Sequence, residues 1–399
     1  MHITRKITQD VVWVGANDRR LQLFESVYPV PNGVSYNSYL VLDDKTVLLD
    51  TVDKAVGELF FENLAHELGG RKLDYVVVNH MEPDHAATLQ AAAQKYPEAE
   101  IWCTAAAKTM IQNFFPSFDM TRVHAVGEGE TLLSGKHEFS FVKAPMVHWP
   151  EVMVTYDKTA KILFSADAFG TFGALDGKLF ADETDFWGSH LGEARRYYTN
   201  IVGKYGPQVA ALLSKAAQLE IDYVCPLHGF VWRKDFDKFA AKYALWAQYQ
   251  PERKGVLICY TSVYGNTERA CERLAARLCE TGVEVKMMDA SFYDHSEMIA
   301  AAFEYSHIVV ASTTYNMGIF VNMDNFLNDL VAHNLQNRKL AAIGNGSWAP
   351  VAPKLIVDSL SRLKNCQFVA EPITVKSSPD QKTAEEIDAL ARVLSETAK

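Results

Sequence analysis

Tyr75-Val76-Val77-Val78-Asn79-His80-Met81-Glu82-Pro83-Asp84-His85 is a short apolar run that opens into a segment with four metal-capable side chains in six positions. The β-branched and aromatic run suits a buried strand. Pro83 disfavours helix at Glu82 and keeps the segment open. Alternate residues of an extended loop project to one side, so His80, Glu82 and Asp84 are expected to converge while His85 points to a neighbouring position. A helix is expected over Ala86 to Tyr96, placing Asp84 and His85 near its N-terminus. Three more candidates lie farther along at the ends of apolar runs or at turns. They are His148 in Ala144-Pro145-Met146-Val147-His148-Trp149-Pro150, Asp167 in Ile162-Leu163-Phe164-Ser165-Ala166-Asp167, and His228 in Tyr223-Val224-Cys225-Pro226-Leu227-His228-Gly229. Loops at strand ends are where ligating and catalytic groups gather, and together these seven form the expected metal-binding and catalytic set.

The composition frames this centre. At 399 residues, 48% hydrophobic and 22% charged, the chain has room for two or three globular domains. Its net charge of −10 and the lack of any basic run argue against nucleic-acid binding. Residues Met1 to Asp10 lack the apolar core of a secretory signal, so a cytoplasmic location is expected. No apolar run reaches the ~18 residues of a membrane span. The six cysteines, Cys103, Cys225, Cys259, Cys271, Cys279 and Cys366, form no C-x-x-C pair, which excludes a rubredoxin-type or zinc-ribbon site in this sequence.

Two domains are expected, 1–250 and 254–399, joined by the polar, proline-containing stretch from Gln248 to Lys254. In the first, short strands cluster at Val11 to Val14, Leu21 to Phe24, Tyr36 to Leu42 and Thr46 to Leu49 before a helix over Lys54 to Leu68. A second cluster runs from Arg122 to Ser165, and the pattern reads as two mixed sheets face to face with helices outside. From Gly255 onward five apolar runs alternate with five helical ones, the pattern of a doubly wound parallel sheet.

In that second domain three loops follow strands. Thr261-Ser262-Val263-Tyr264-Gly265-Asn266-Thr267 precedes a helix and offers hydroxyls, backbone N–H groups and a helix N-terminus to an anion. No lysine follows the glycine, so this is no ATP-type loop, and an uncharged cradle suits the monophosphate of FMN. Thr313-Thr314-Tyr315-Asn316-Met317-Gly318 and Asn345-Gly346-Ser347-Trp348 follow the third and fourth strands. With strand order 2-1-3-4-5 these loops lie side by side, and Tyr315 and Trp348 are expected against the flavin ring. Gly344 to Ala349 also fits a G-x-G-x-x-A dinucleotide fingerprint. It follows the fourth strand of the unit, however, and lacks the acidic residue about 20 positions on.

The order H-x-E-x-D-H, then His, Asp and His, resembles the metallo-β-lactamase superfamily, whose hydrolases usually carry histidine where Glu82 stands. Glu82 makes the set three carboxylates and four imidazoles, harder and more anionic, which suits iron cycling between two charge states. The resemblance implies His80, Glu82 and His148 on one metal, Asp84, His85 and His228 on the other, and Asp167 between them, with the ions about 3.5–4 Å apart. The three loops at the other end resemble flavodoxin. Together, an N-terminal αββα metallo-β-lactamase-like sandwich and a C-terminal doubly wound flavodoxin-like domain resemble the flavodiiron proteins (A-type flavoproteins) over essentially the whole chain.

That resemblance implies FMN, a non-haem diiron site, and reduction of dioxygen to water, nitric oxide to nitrous oxide, or both. It also implies a head-to-tail homodimer or dimer of dimers, and a separate electron donor, a rubredoxin or reduced deazaflavin F420. Tyr197 and Tyr198 are candidates to donate a proton or hydrogen bond near the metals, and Trp149 to line the flavin-facing side. The competing expectation is a two-zinc hydrolase with an attached flavodoxin electron carrier.

Overall fold

The computed structural model describes residues 1–398. By its internal contacts the chain divides into two units: Met1–Tyr198 with Pro207–Ala241, and Thr199–Gly206 with the chain from Lys242 onward.

The first unit is built on two mixed sheets. One has the order Arg5–Lys6, Val11–Trp13, Tyr39–Leu42, Thr46–Leu49, Tyr75–Val78, Glu100–Thr104 and Val123–Val126. Its first four strands pair antiparallel and the rest parallel. The other runs Thr131–Leu133, Glu138–Lys143, Met153–Asp157, Ile162–Phe164 and Tyr223–Cys225. Rings join the two sheets across the core, with Tyr39 and Phe164 centroids 5.5 Å apart and Trp102 and Phe141 6.0 Å apart. In the second sheet Ile162–Phe164 and Tyr223–Cys225 are parallel neighbours, and Met153–Asp157 is antiparallel to the former. The turns carrying His148, Asp167 and His228 therefore emerge at one end of that sheet.

Several local expectations change. Leu23–Phe24 does not join a main sheet; it pairs with Tyr28–Pro29 in a separate hairpin. The run Tyr36 to Leu42 is divided, because Val34–Tyr36 pairs with Ala16–Asp18 while Tyr39–Leu42 enters the first sheet. The helix expected over Ala86 to Tyr96 is two pieces, Pro83–Ala86 and Leu89–Lys95. Pro83 begins the first piece instead of holding the segment extended: at a helix's first position its missing N–H costs nothing and its φ is already helical.

In the second unit all main strands are parallel, in the order Val285–Asp289, Arg253–Tyr260, Tyr305–Tyr315, Lys339–Asn345 and Gln367–Phe368, with Ile373–Val375 also on Lys339–Asn345. This is the 2-1-3-4-5 order expected. Helix Asn266–Glu280 turns Ala270, Cys271, Leu274 and Leu278 onto Val256, Ile258 and Val309, while helix Gln381–Thr397 adds Ile387, Leu390 and Leu394. Each such large aliphatic side chain contributes roughly 1.5–3 kcal/mol by leaving water. Among the described residues no helix is long and apolar enough to cross a membrane.

Arg338, buried just before the fourth strand, has no carboxylate partner among the described residues; its guanidinium donates to the carbonyls of Ala302, Phe303, Tyr249 and Gln336 at 2.7–3.0 Å. Burial pushes its pKa down to about 9. Ala302 and Phe303 close helix His295–Glu304, where a cation is favoured by the helix dipole. Replacing Arg338 by Met strands these carbonyls, at roughly 1–3 kcal/mol each where no water enters. A thermal melt of Arg338→Met is expected to show a total loss of about 3 kcal/mol or more.

Candidate metal centre and flavin pocket

The ligand loop is fixed from behind before it presents anything to a metal. Asp50, fully buried after strand Thr46–Leu49, accepts the Asn79 N–H at 2.7 Å, the Asn79 side-chain amide at 2.7 Å and the His80 N–H at 3.2 Å. Asn79 Oδ1 in turn accepts from Thr155 Oγ1 at 2.6 Å, tying the loop to the second sheet. Thereafter Glu82 stands at the N-cap of the short helix, so Asp84 and His85 turn away from His80 and Glu82 instead of continuing an extended alternation.

All seven expected ligands come together, in two adjacent groups. In the first, Glu82 Oε2 lies 3.2 Å from His80 Nε2 and 2.9 Å from His148 Nε2, while Asp167 Oδ2 lies 3.4 Å and 3.2 Å from the same two nitrogens. In the second, Asp84 Oδ2 is 3.3 Å from His85 Nε2 and 3.2 Å from His228 Nε2. Asp167 Oδ1 faces this second group, 3.2 Å from His85 Nε2. One carboxylate thus offers one oxygen to each side.

The donor set itself calls for a cation. His85 Nε2 and His228 Nε2 face each other at 3.0 Å. Both Asp84 carboxylate oxygens are buried without a hydrogen-bond partner among the described residues, as is Asp167 Oδ1. With protons alone to balance the charge, burial opposes the charged forms, but Asp167 and Glu82 push the His148 imidazolium up to about 9, and the histidines hold Asp167 far below the carboxylate range. Metal ions would replace those protons. His228 is aimed by its Nδ1 donating to the Ser35 carbonyl at 2.8 Å.

Rings wall the pocket. Trp149 stands edge-on to His80 with centroids 5.5 Å apart, and Phe24, from the separate hairpin, lies 5.3 Å from His228. Tyr197 is buried with its ring 5.4 Å from His228. Tyr198, also buried, opens the π-helical turn Tyr198–Val202.

In the second unit a cavity of about 350 Å³ lies at the strand ends. It is lined by Ser262, Val263, Tyr264, Asn266 and Thr267 from the first loop, Thr313, Thr314 and Tyr315 from the third strand, and Gly346, Ser347 and Trp348 from the fourth loop. Ser262 Oγ is buried and unpartnered among the described residues, at the start of a helix whose first N–H groups are unclaimed by helix geometry. Tyr264 and Trp348 are each 91% exposed, open to a planar ligand.

Four residues expected at this cavity do not line it. Thr261 is turned inward and donates to Ser312 Oγ at 3.1 Å; Gly265 supplies the left-handed turn (φ 83°) before the helix. Asn316, at φ 50°, and Gly318 belong to a hairpin closing the third strand, which runs on to Tyr315. Asn345, the first residue of the fourth loop, also lines the cavity, and beside it stands Ser377, which escaped sequence reasoning. They are joined by Ser377 N–H to Asn345 Oδ1 at 3.1 Å and by the Asn345 amide to the Ser377 carbonyl at 3.0 Å.

The model of the ODP family of β-lactamases matches residues 34–229, and that of flavodoxin matches residues 258–387. An anaerobic nitric oxide reductase flavorubredoxin of Vibrio vulnificus is 33% identical over 394 residues, 96% of this chain and 78% of the relative. A nitric oxide reductase of Moorella thermoacetica is 33% identical, covering 92% of this chain and 91% of the relative. The chain belongs to the flavodiiron proteins. In structure it is similar to the rubredoxin oxygen:oxidoreductase of Desulfovibrio gigas, with a TM-score of 0.93 at 29% identity over 99% of this chain and 98% of the other. It is likewise similar to the flavodiiron protein of Giardia intestinalis, with a TM-score of 0.92 at 26% identity over 100% and 97%.

The flavodiiron loop depends on Asp50, a residue with no atom offered to a metal. Asp50→Ala leaves the Asn79 and His80 donors buried and unpaired, so thermal melts of the metal-free chain are expected to lose about 3 kcal/mol, hydrogen bonds to a charged acceptor contributing roughly 1.5–3 kcal/mol each.

Proposed function

We propose that this chain is an FMN- and diiron-dependent oxidoreductase that reduces dioxygen to water, nitric oxide to nitrous oxide, or both. The observation that carries the reading is Asp167, whose two oxygens face two separate three-residue ligand groups. In this reading His80, Glu82 and His148 would hold one iron and Asp84, His85 and His228 the other, with Asp167 offering one oxygen to each side. Ser262, Asn266 and Thr267 hold the FMN phosphate, and Tyr315 and Trp348 flank its ring. The domains assigned to these roles are 1–250 and 254–399, and the matched family regions fall inside them.

Bound there, two ferrous ions and a reduced flavin supply up to four electrons and open coordination positions for a diatomic gas. Reduction of dioxygen to two waters consumes four electrons and four protons; two nitric oxide molecules need two of each to give nitrous oxide and one water. The chain's own share is to exclude bulk water and to deliver those protons. The rings of Phe24, Tyr36 and Trp149 do the former, being packed against the ligand histidines. Tyr197 is a candidate for the latter, since its ring lies against His228.

Cytoplasmic location, a head-to-tail homodimer or dimer of dimers, and a separate donor, either a rubredoxin or reduced F420, complete the proposal; the assembly and the donor rest on the family resemblance. Size-exclusion chromatography with light scattering is expected to give two or four chains per particle.

Elemental analysis of the anaerobically reconstituted chain is expected to find two iron and one FMN per chain, and Asp167→Ala to lose both irons while keeping FMN. Two zinc, with thioester or lactam hydrolysis, would favour the hydrolase instead. Steady-state consumption of each gas by the dithionite-reduced protein reads the preference directly. Tyr197→Phe is expected to lower turnover on the order of 10²-fold, the lower range for a positioned proton donor. Unchanged turnover in both Tyr197→Phe and Tyr198→Phe would remove the tyrosines from the mechanism.

A further inference from the structure

We propose that Glu151 is a positioning residue that holds His80 in the tautomer aiming Nε2 into the pocket, so that one of the two proposed irons is bound through a carboxylate–imidazole pair and the other is not. The inference rests on the diiron reading above and distinguishes its two halves.

Glu151 is 1% exposed and lies three residues after His148 in the turn between strands Glu138–Lys143 and Met153–Asp157. Its Oε1 accepts from His80 Nδ1 at 2.7 Å and from the Met81 N–H at 2.9 Å. Its own backbone is pinned, because its carbonyl accepts from Thr104 Oγ1 at 2.8 Å. With Nδ1 committed to Glu151, His80 presents Nε2 to Glu82 Oε2 and Asp167 Oδ2. One turn therefore supplies a ligand, His148, and the support for its partner ligand, His80.

The other group is supported differently. His228 donates from Nδ1 to a neutral acceptor, the Ser35 carbonyl, and His85 Nδ1 is buried with no hydrogen-bond partner among the described residues. A buried carboxylate is costly unless charge compensates it. Among the described residues the basic group within ion-pair distance of Glu151 is His80 alone, and Glu151 Oε2 has no hydrogen-bond partner. Its negative charge is thus relayed through the His80 ring toward the pocket, where a cation satisfies it. A carboxylate behind a ligating histidine fixes ring and tautomer and raises ligand basicity, and its loss typically weakens metal binding about 10–100-fold.

The test compares anaerobically iron-loaded unaltered chain, E151Q and E151A, by iron per chain during titration with a ferrous chelator, by Mössbauer spectrum and by FMN content. Glutamine can still accept from His80 and Met81 but carries no charge, so it separates charge from placement. The expected result is one iron of the two released about 10–100-fold more readily in E151Q, and more so in E151A. One Mössbauer component shifts, the other stays, and FMN is retained. Two irons held as tightly as in the unaltered chain, with an unchanged spectrum, overturn the proposal. So does equal weakening of both irons, or loss of FMN together with iron, which marks general misfolding. An unaltered chain that binds no iron overturns the diiron reading itself, an outcome visible before any variant is made.

Discussion

Three carboxylates and four imidazoles held within a few ångströms in a buried pocket cannot stay there uncompensated. Charges taken out of water cost several kcal/mol each unless they are paired or bound to metal. The first unit can be understood as the frame that imposes this arrangement. Each ligand is delivered by a loop, turn or short helix that follows a strand, and the strands are fixed by a core of buried residues between two sheets. Rigid strand ends, with a second set of hydrogen bonds from Asp50, Ser35 and Glu151, prevent the ligands from relaxing apart. Asp167 is the centre of the arrangement because its two oxygens face opposite groups.

The second unit solves a different problem. A planar, phosphate-bearing cofactor needs an anion cradle and flat apolar walls, and a doubly wound sheet provides both where strand order reverses. The cradle is uncharged, with hydroxyls and a helix start in place of lysine. Exposed Tyr264 and Trp348 leave the ring site open at the surface, as a group that must pass electrons outward requires.

Much of this was legible in the sequence, for physical reasons. The ligand loop is dense, so its chemistry survives any uncertainty in conformation, and the 2-1-3-4-5 sheet follows from regular alternation of apolar runs and helices. What was illegible came from two sources. Pro83 reads equally as a helix breaker and as a helix's first residue, and only packing chooses between them; this is why Asp84 and His85 were expected before a helix that in fact contains them. The supporting residues are scattered: Glu151 lies 71 positions from His80 and Ser35 lies 193 from His228, with no local pattern to announce them. Ser377 was missed because it follows the outer strand piece Ile373–Val375, whose loop carries no local motif to mark it as reaching the flavin cavity beside the loops of the first, third and fourth strands.

The central claim is that one bridging carboxylate organises two irons. Diffraction from crystals grown anaerobically, recorded on both sides of the iron absorption edge, measures it most directly. The account predicts two iron-specific anomalous peaks in the first unit, one among His80, Glu82 and His148 and one among Asp84, His85 and His228, with Asp167 between them. A single peak, or peaks that respond at the zinc edge and not at the iron edge, would contradict it.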